Sequence, residues 1–226
     1  MELEGKIINF LGDSITQGVG VAHLENRYDQ VMLRECRLLH VNNYGVGGTR
    51  LAHQTQPSTK ARWDLNFCGR AYDMTLDADI IVVYGGVNDY FHGDAPLGQP
   101  GDITRATFYG AVHELTAFLR ERYPRAVLVF MTPAHAVGDQ LPSHSVNKPV
   151  GTKRELLCRY IEAIEYEAPR QDFRVLNLWE KLGLDPNDSK ICAQYTADGV
   201  HFNDEGHRII ARTLTEFLQQ LPDTQT

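Results

Sequence analysis

Short runs of apolar residues alternate along the chain with longer stretches of helical period. Lys6 to Leu11 reads as a buried strand stopped at Gly12, and His40 to Tyr44 as a second, stopped by G-V-G-G. Asp79 to Tyr84 (D-I-I-V-V-Y) is a strong buried strand that meets Gly85 and Gly86, Ala126 to Met131 runs into Thr132-Pro133, and Phe173 to Leu178 is a weaker fifth. A helix is expected around Asn26 to Leu39. Phe108, Ala111, Val112, Leu115, Phe118 and Leu119 recur at helical spacing, and Pro124 closes that helix. Thr152-Lys-Arg-Glu155 reads as a capping box, opening a helix whose stripe of Leu156, Tyr160, Ile161 and Ile164 is expected to end at Pro169. The last helix begins near Asn203, with Asp204 and Glu205 at its positive end and Ile210, Leu214, Phe217 and Leu221 on its buried face.

Mostly apolar strands, each followed by a helix, imply a parallel sheet buried on both faces. Right-handed crossovers then place helices on both sides. The expected architecture is a three-layer α/β/α sandwich with a mostly parallel, about five-stranded sheet. Ligands of such open sheets bind beyond the carboxyl ends of the strands.

Composition narrows the classes of function. The 226 residues allow one large domain or two small ones, and no repeat, linker or low-complexity tract divides them. A hydrophobic fraction of 42% with 23% charged residues is that of a globular protein. The net charge of −7, with no run of Lys and Arg, argues against nucleic-acid binding. The longest apolar stretch, Ile80 to Val87, is far short of the ~20 residues a membrane span needs. The first residues lack the basic start and long apolar run of a secretory signal, so a cytoplasmic location and no membrane partner are expected. Cys36, Cys68, Cys158 and Cys192 are scattered, with neither a C-x-x-C nor a zinc spacing, so no metal is expected and the thiols read as reduced.

The strand ends carry unusual residues. G-D-S-I-T-Q-G after the first strand puts Ser14 on a tight turn into a helix. There it can be a plain cap, part of a phosphate cradle such as a flavin protein uses, or a nucleophile held at the top of the sheet. The glycines of N-Y-G-V-G-G-T (Asn43 to Thr49) let backbone approach a ligand or simply turn. Asn88, in G-G-V-N-D, can aim its amide into the same crevice and stabilise an oxyanion, or serve the turn. Asp198 and His201, three apart in A-D-G-V-H before the final helix, separate the readings. A hydroxyl nucleophile needs a base, and that base needs a carboxylate to hold its tautomer, whereas a flavin site needs neither.

Taken together these segments resemble the GDSL family of esterases and lipases, the SGNH hydrolases. G-D-S-I matches the first block, N-x-G-x-x-G (Asn43 to Gly48) the second, G-x-N-D (Gly86 to Asp89) the third and D-x-x-H (Asp198 to His201) the last. Ile15, Val87 and Phe202 stand where that pattern more often has other residues. The resemblance implies a flavodoxin-like fold without a cofactor. It implies Ser14, His201 and Asp198 as catalytic residues, and Ser14, Gly48 and Asn88 as the oxyanion hole. Asp13, His92 and His135 are candidates for a substrate pocket, each against a plain turn, packed or solvated role. His207 reads as structural and His144 as a solvated or packed loop residue, while Tyr44, Trp63 and Tyr84 read as core against a role as pocket walls. The expected substrate is a small-molecule ester, with a short acyl group such as acetyl on a carbohydrate or other small alcohol. A non-catalytic ligand binder, an acyltransferase and a thioesterase of the same fold stay open. Ser14 and His201 must meet although far apart in sequence, so a single domain over 1–226 is expected; nothing in the pattern fixes an oligomeric state.

Overall fold

Side chains alternate across a strand, and in this chain that alternation divides one apolar core into two. The computed structural model describes residues 1–145, 147–148 and 153–222. In chain order its elements are β1 (Ile7–Gly12), α1 (Ser14–Gln17), α2 (Tyr28–Glu35), β2 (His40–Gly45), α3 (Phe67–Arg70), β3 (Ile80–Tyr84), α4 (Val87–Phe91), α5 (Phe108–Arg122), β4 (Val127–Met131), α6 (Leu157–Gln171), β5 (Arg174–Leu176), α7 (Leu178–Lys181), α8 (Ser189–Tyr195) and α9 (Asp204–Gln220). The five strands form one sheet in the order β2-β1-β3-β4-β5, every pair parallel. Leu11, Ile81, Val83, Leu128 and Phe130 face α5 and α6. Ile8, Phe10, Val82, Val129 and Met131 face α2 and α9. Both faces are therefore covered, as the apolar runs require, and each such side chain contributes about 1.5–3 kcal/mol by its burial. No helix among the described residues is long and apolar enough to cross a membrane.

The boundaries depart from expectation in four places. The expected strand of residues 173–178 is only Arg174–Leu176, because Asn177 caps α7 and Leu178 opens it. Between β1 and β2 the expected helix of residues 26–39 is shorter: α2 ends at Glu35, and Arg37 takes a positive φ of 52° that turns the chain toward β2. Pro169 does not end α6; the helix continues to Gln171, where Asp172 (φ 48°) caps it and donates its N–H to Ala168. A proline this near the end removes one hydrogen bond, while the buried stripe of Leu157, Tyr160, Ile161 and Ile164 holds the helix in place. The capping box is also displaced. α6 starts at Leu157 without a side-chain cap, and Glu155 instead pairs with Lys153 at 2.7 Å. Thr152 lies outside the described residues, as do 146 and 149–151 of the long loop after β4.

Candidate active site

Strand order reverses at β1, with β2 on one side and β3 on the other, which opens a crevice beyond their carboxyl ends. β1 passes straight into α1. A Cβ on Gly12 would sit 1.9 Å from the Thr16 hydroxyl, so only glycine permits this turn. Asp13 caps α1, its Oδ1 accepting the Ile15 N–H at 3.0 Å. Ser14 is the first helical residue and keeps 8% of its surface exposed at the top of the sheet.

The Ser14 Oγ lies 2.9 Å from His201 Nε2, across 187 positions of sequence. On the other side of the ring, His201 Nδ1 lies 2.7 Å from Asp198 Oδ2. Asp198 Oδ1 accepts the backbone N–H groups of His201 (2.8 Å) and Val200 (3.0 Å). Partial burial acts to raise the Asp198 carboxyl, but these hydrogen bonds outweigh it and hold the group below the usual carboxylate range. Several contacts fix the loop that carries the pair. Ala197 N–H donates to His201 O at 2.8 Å and Val137 N–H to Gly199 O at 2.9 Å. Asp204, at the start of α9, accepts the Ala22 N–H at 2.7 Å and the Asn26 amide at 2.8 Å, which ties the segment after α1 to the His201 loop.

Gly48 has a φ of +80°, and a Cβ there would lie 2.1 Å from the indole nitrogen of Trp63. Trp63 stacks on His92 with ring centres 5.8 Å apart. Asn88 sits in α4, its amide donating to Thr49 O at 3.1 Å with a second N–H to spare. Next to it, Asp89 accepts the N–H groups of Leu51 (3.0 Å) and Ala52 (2.9 Å), so α4 is tied to the segment that follows Gly48. Burial pushes the Asp89 carboxyl up to about 6, against the pull of those hydrogen bonds. Gly47 N–H is taken by the Gln17 side chain at 2.7 Å. The N–H groups of Ser14 and Gly48 donate to no acceptor among the described residues.

The structure thus brings Ser14, Gly48, Asn88, Asp198 and His201 to one crevice. The pocket candidates divide. Asp13 is 1% exposed and turned into the α1 cap, so it backs the site rather than lining a pocket; burial pushes its carboxyl up to about 6. His135 hydrogen-bonds Asp139 through Nδ1 at 2.8 Å, packs on Trp179, and borders a small apolar cleft with Ile15, Val87 and Val200. His92 borders a polar cleft with Gln54, Gln56, Ser58 and Asp94. His207 is fully buried, accepts the Tyr28 N–H at 3.2 Å, and is pushed down to about 4 by desolvation. Sequence reasoning passed over Gln17 and Asp89, although both stand inside the motifs it used.

The family model of GDSL-like lipases and acylhydrolases matches residues 10–209, nearly the whole described chain. The chain belongs to this family. A solved protein from Lactobacillus plantarum is 31% identical to this family member, covers 96% of it with 97% of its own length, and superposes with a TM-score of 0.79. A carbohydrate acetylesterase family member from Sinorhizobium meliloti (18% identity, 95% and 97% covered, TM-score 0.62) shares the fold. So does a member of the lipolytic G-D-S-L family from Veillonella parvula (16% identity, 95% and 99% covered, TM-score 0.60). No curated protein matches the chain.

Proposed function

We propose that the protein is a serine hydrolase that cleaves carboxylic esters through an acyl-enzyme. The observation that carries this reading is the unbroken hydrogen-bonded run from Ser14 Oγ through His201 to Asp198. Ser14 attacks the ester carbonyl while His201 Nε2 takes its proton, and Asp198 holds the ring with Nδ1 protonated and balances the imidazolium. The carbonyl oxygen becomes an oxyanion held by the free N–H groups of Ser14 and Gly48 and by the Asn88 amide. His201 then gives its proton to the departing alkoxide, and later draws one from the water that releases the acyl group.

The two clefts support a short acyl group on a polar alcohol. The apolar one is small and is lined by the sequence neighbours of Ser14, Asn88 and His201, which suits an acetyl-sized chain. The other is lined by Gln54, Gln56, Ser58, His92, Asp94 and Asn147, groups that match the hydroxyls of a carbohydrate or similar small alcohol. The Sinorhizobium neighbour's description as a carbohydrate acetylesterase family member points the same way. A panel of esters graded by acyl length and alcohol type tests the reading. Turnover should be greatest for acetyl esters of polyols, and Ser14→Ala should abolish both turnover and labelling by a fluorophosphonate. Wild-type activity in a clean Ser14→Ala preparation would overturn the mechanism. Labelling without hydrolysis, together with acyl transfer to added alcohols, would make the enzyme a transferase.

A further inference from the structure

Three chain segments must be held in register for the oxyanion donors to converge: the β1–α1 turn with Ser14, the loop after β2 with Gly48, and α4 with Asn88. The segments belong to three strands, and no motif residue touches all of them. Arg70, at the end of α3 and only 9% exposed, reaches the first two directly and the third through Thr49. Its Nη2 donates to Gly12 O at 2.9 Å, two residues before Ser14, and to the Thr49 hydroxyl at 2.9 Å, one residue after Gly48. Thr49 O in turn accepts the Asn88 amide at 3.1 Å. Nη1 donates to Tyr44 O at the end of β2, and Nε donates at 3.0 Å to Leu65 O, two residues beyond the Trp63 that covers Gly48. Desolvation pulls the guanidinium down to about 10, which leaves it charged at neutral pH, and the Asp13 carboxylate supports that charge.

We propose that Arg70 is the positioning residue of this site: its guanidinium holds the Ser14 turn, the Gly48 loop and, through Thr49, the Asn88 amide in the geometry of an oxyanion hole. The inference rests on the ester-hydrolase reading above. The planar fork is what the task needs. Its N–H groups leave in several fixed directions, whereas a lysine ammonium on the same stem is one point charge that cannot span four acceptors on four segments. Arg70 itself touches no reacting atom. It acts by denying the Gly12 and Thr49 groups any other arrangement.

A double-mutant cycle in the full chain, read with 4-nitrophenyl acetate, tests this. Arg70→Ala should keep the wild-type far-UV circular dichroism, lose about 100-fold in kcat and change KM less than threefold, the size expected for a lost oxyanion donor. Added methylguanidinium should restore at least tenfold of that loss by occupying the vacated site. Asn88→Ala should cost far less in the Arg70→Ala background than in the wild type, because both changes disable one device. Should Arg70→Ala not fold, Arg70→Lys takes its place in the same cycle, with kcat lowered at least tenfold and again non-additive with Asn88→Ala. Wild-type kcat in the Arg70 variant, or losses that add with Asn88→Ala and resist methylguanidinium, would overturn the proposal while leaving the hydrolase reading intact. Absence of any Ser14-dependent turnover in the wild type would overturn that reading and this one with it.

Discussion

Asn88 and Asp198 act on different moments of the proposed reaction, and kinetics separates them. Asn88 binds charge that exists only at the transition state, so Asn88→Ala should lower kcat by roughly 100- to 1000-fold with KM nearly unchanged in steady-state assays. Fold stability should hardly move, since the amide makes one hydrogen bond, to the Thr49 carbonyl. Asp198 instead sets the His201 tautomer. Asp198→Asn places an amide against Nδ1 and favours the wrong form, which should cost on the order of 10²- to 10⁴-fold in kcat. Equal, mild effects of the two substitutions on a pre-steady-state burst would contradict this division. The five residues that the geometry brings together were all legible in the sequence, because each lies in a short segment whose chemistry is local. Arg70 was not legible. It stands outside every motif, and three of its four partners are backbone carbonyls, which leave no mark on residue type. At Asp13 the sequence leaves a pocket role open beside a helix-start role, and the structure shows the second: the carboxylate caps the turn and the chain buries it.

Elements were read correctly where the period was long and misplaced where a single residue carried the judgement. The first four strands and α5 rest on several apolar positions each, and their placement follows from burial on the two sheet faces, whereas the weak fifth run is cut to three residues by the cap of α7. Pro169 and Thr152-to-Glu155 are signals of one or a few residues, and tertiary packing of α6 outweighs the proline while Glu155 pairs with Lys153 ahead of the helix. Asp204 has the opposite history. The sequence assigned it to the positive end of α9, and its carboxylate also anchors Ala22 and Asn26 of the segment behind Ser14. Asp204→Ala therefore removes a dipole interaction and two hydrogen bonds to a charged acceptor, and should destabilise the fold by about 1–2 kcal/mol in urea denaturation. Because that tether backs the loop of His201, kcat should fall as well, though severalfold rather than by orders of magnitude. A stability loss with unchanged kcat would show that the segment after α1 does not govern the placement of His201.

Across the whole molecule, buried ionisable groups around the crevice make stability depend on pH in opposing directions. Asp13 and Asp89 rise from the ordinary 3.8 to about 6 on folding. Each then contributes stability that is fully present below pH 4 and lost as pH rises through 6, about 3 kcal/mol apiece. His207 falls from 6.5 to about 4, so its contribution is present above pH 6.5 and lost as pH falls toward 4, again about 3 kcal/mol. Two raised carboxylates against one lowered imidazole leave the site costlier to keep folded near neutrality than near pH 5. Such a cost is the one a buried, charged catalytic crevice is expected to carry. Asp13→Asn isolates one component. The amide oxygen still caps α1 at Ile15, and the buried charge is gone. Measured by urea denaturation, the variant should be more stable than wild type by about 3 kcal/mol at pH 8 and close to equal at about pH 3, below the ordinary 3.8, where Asp13 is protonated in both states. A difference of the same size at both pH values would mean that Asp13 is not desolvated in the folded protein, and the crevice would then be wetter than its packing indicates.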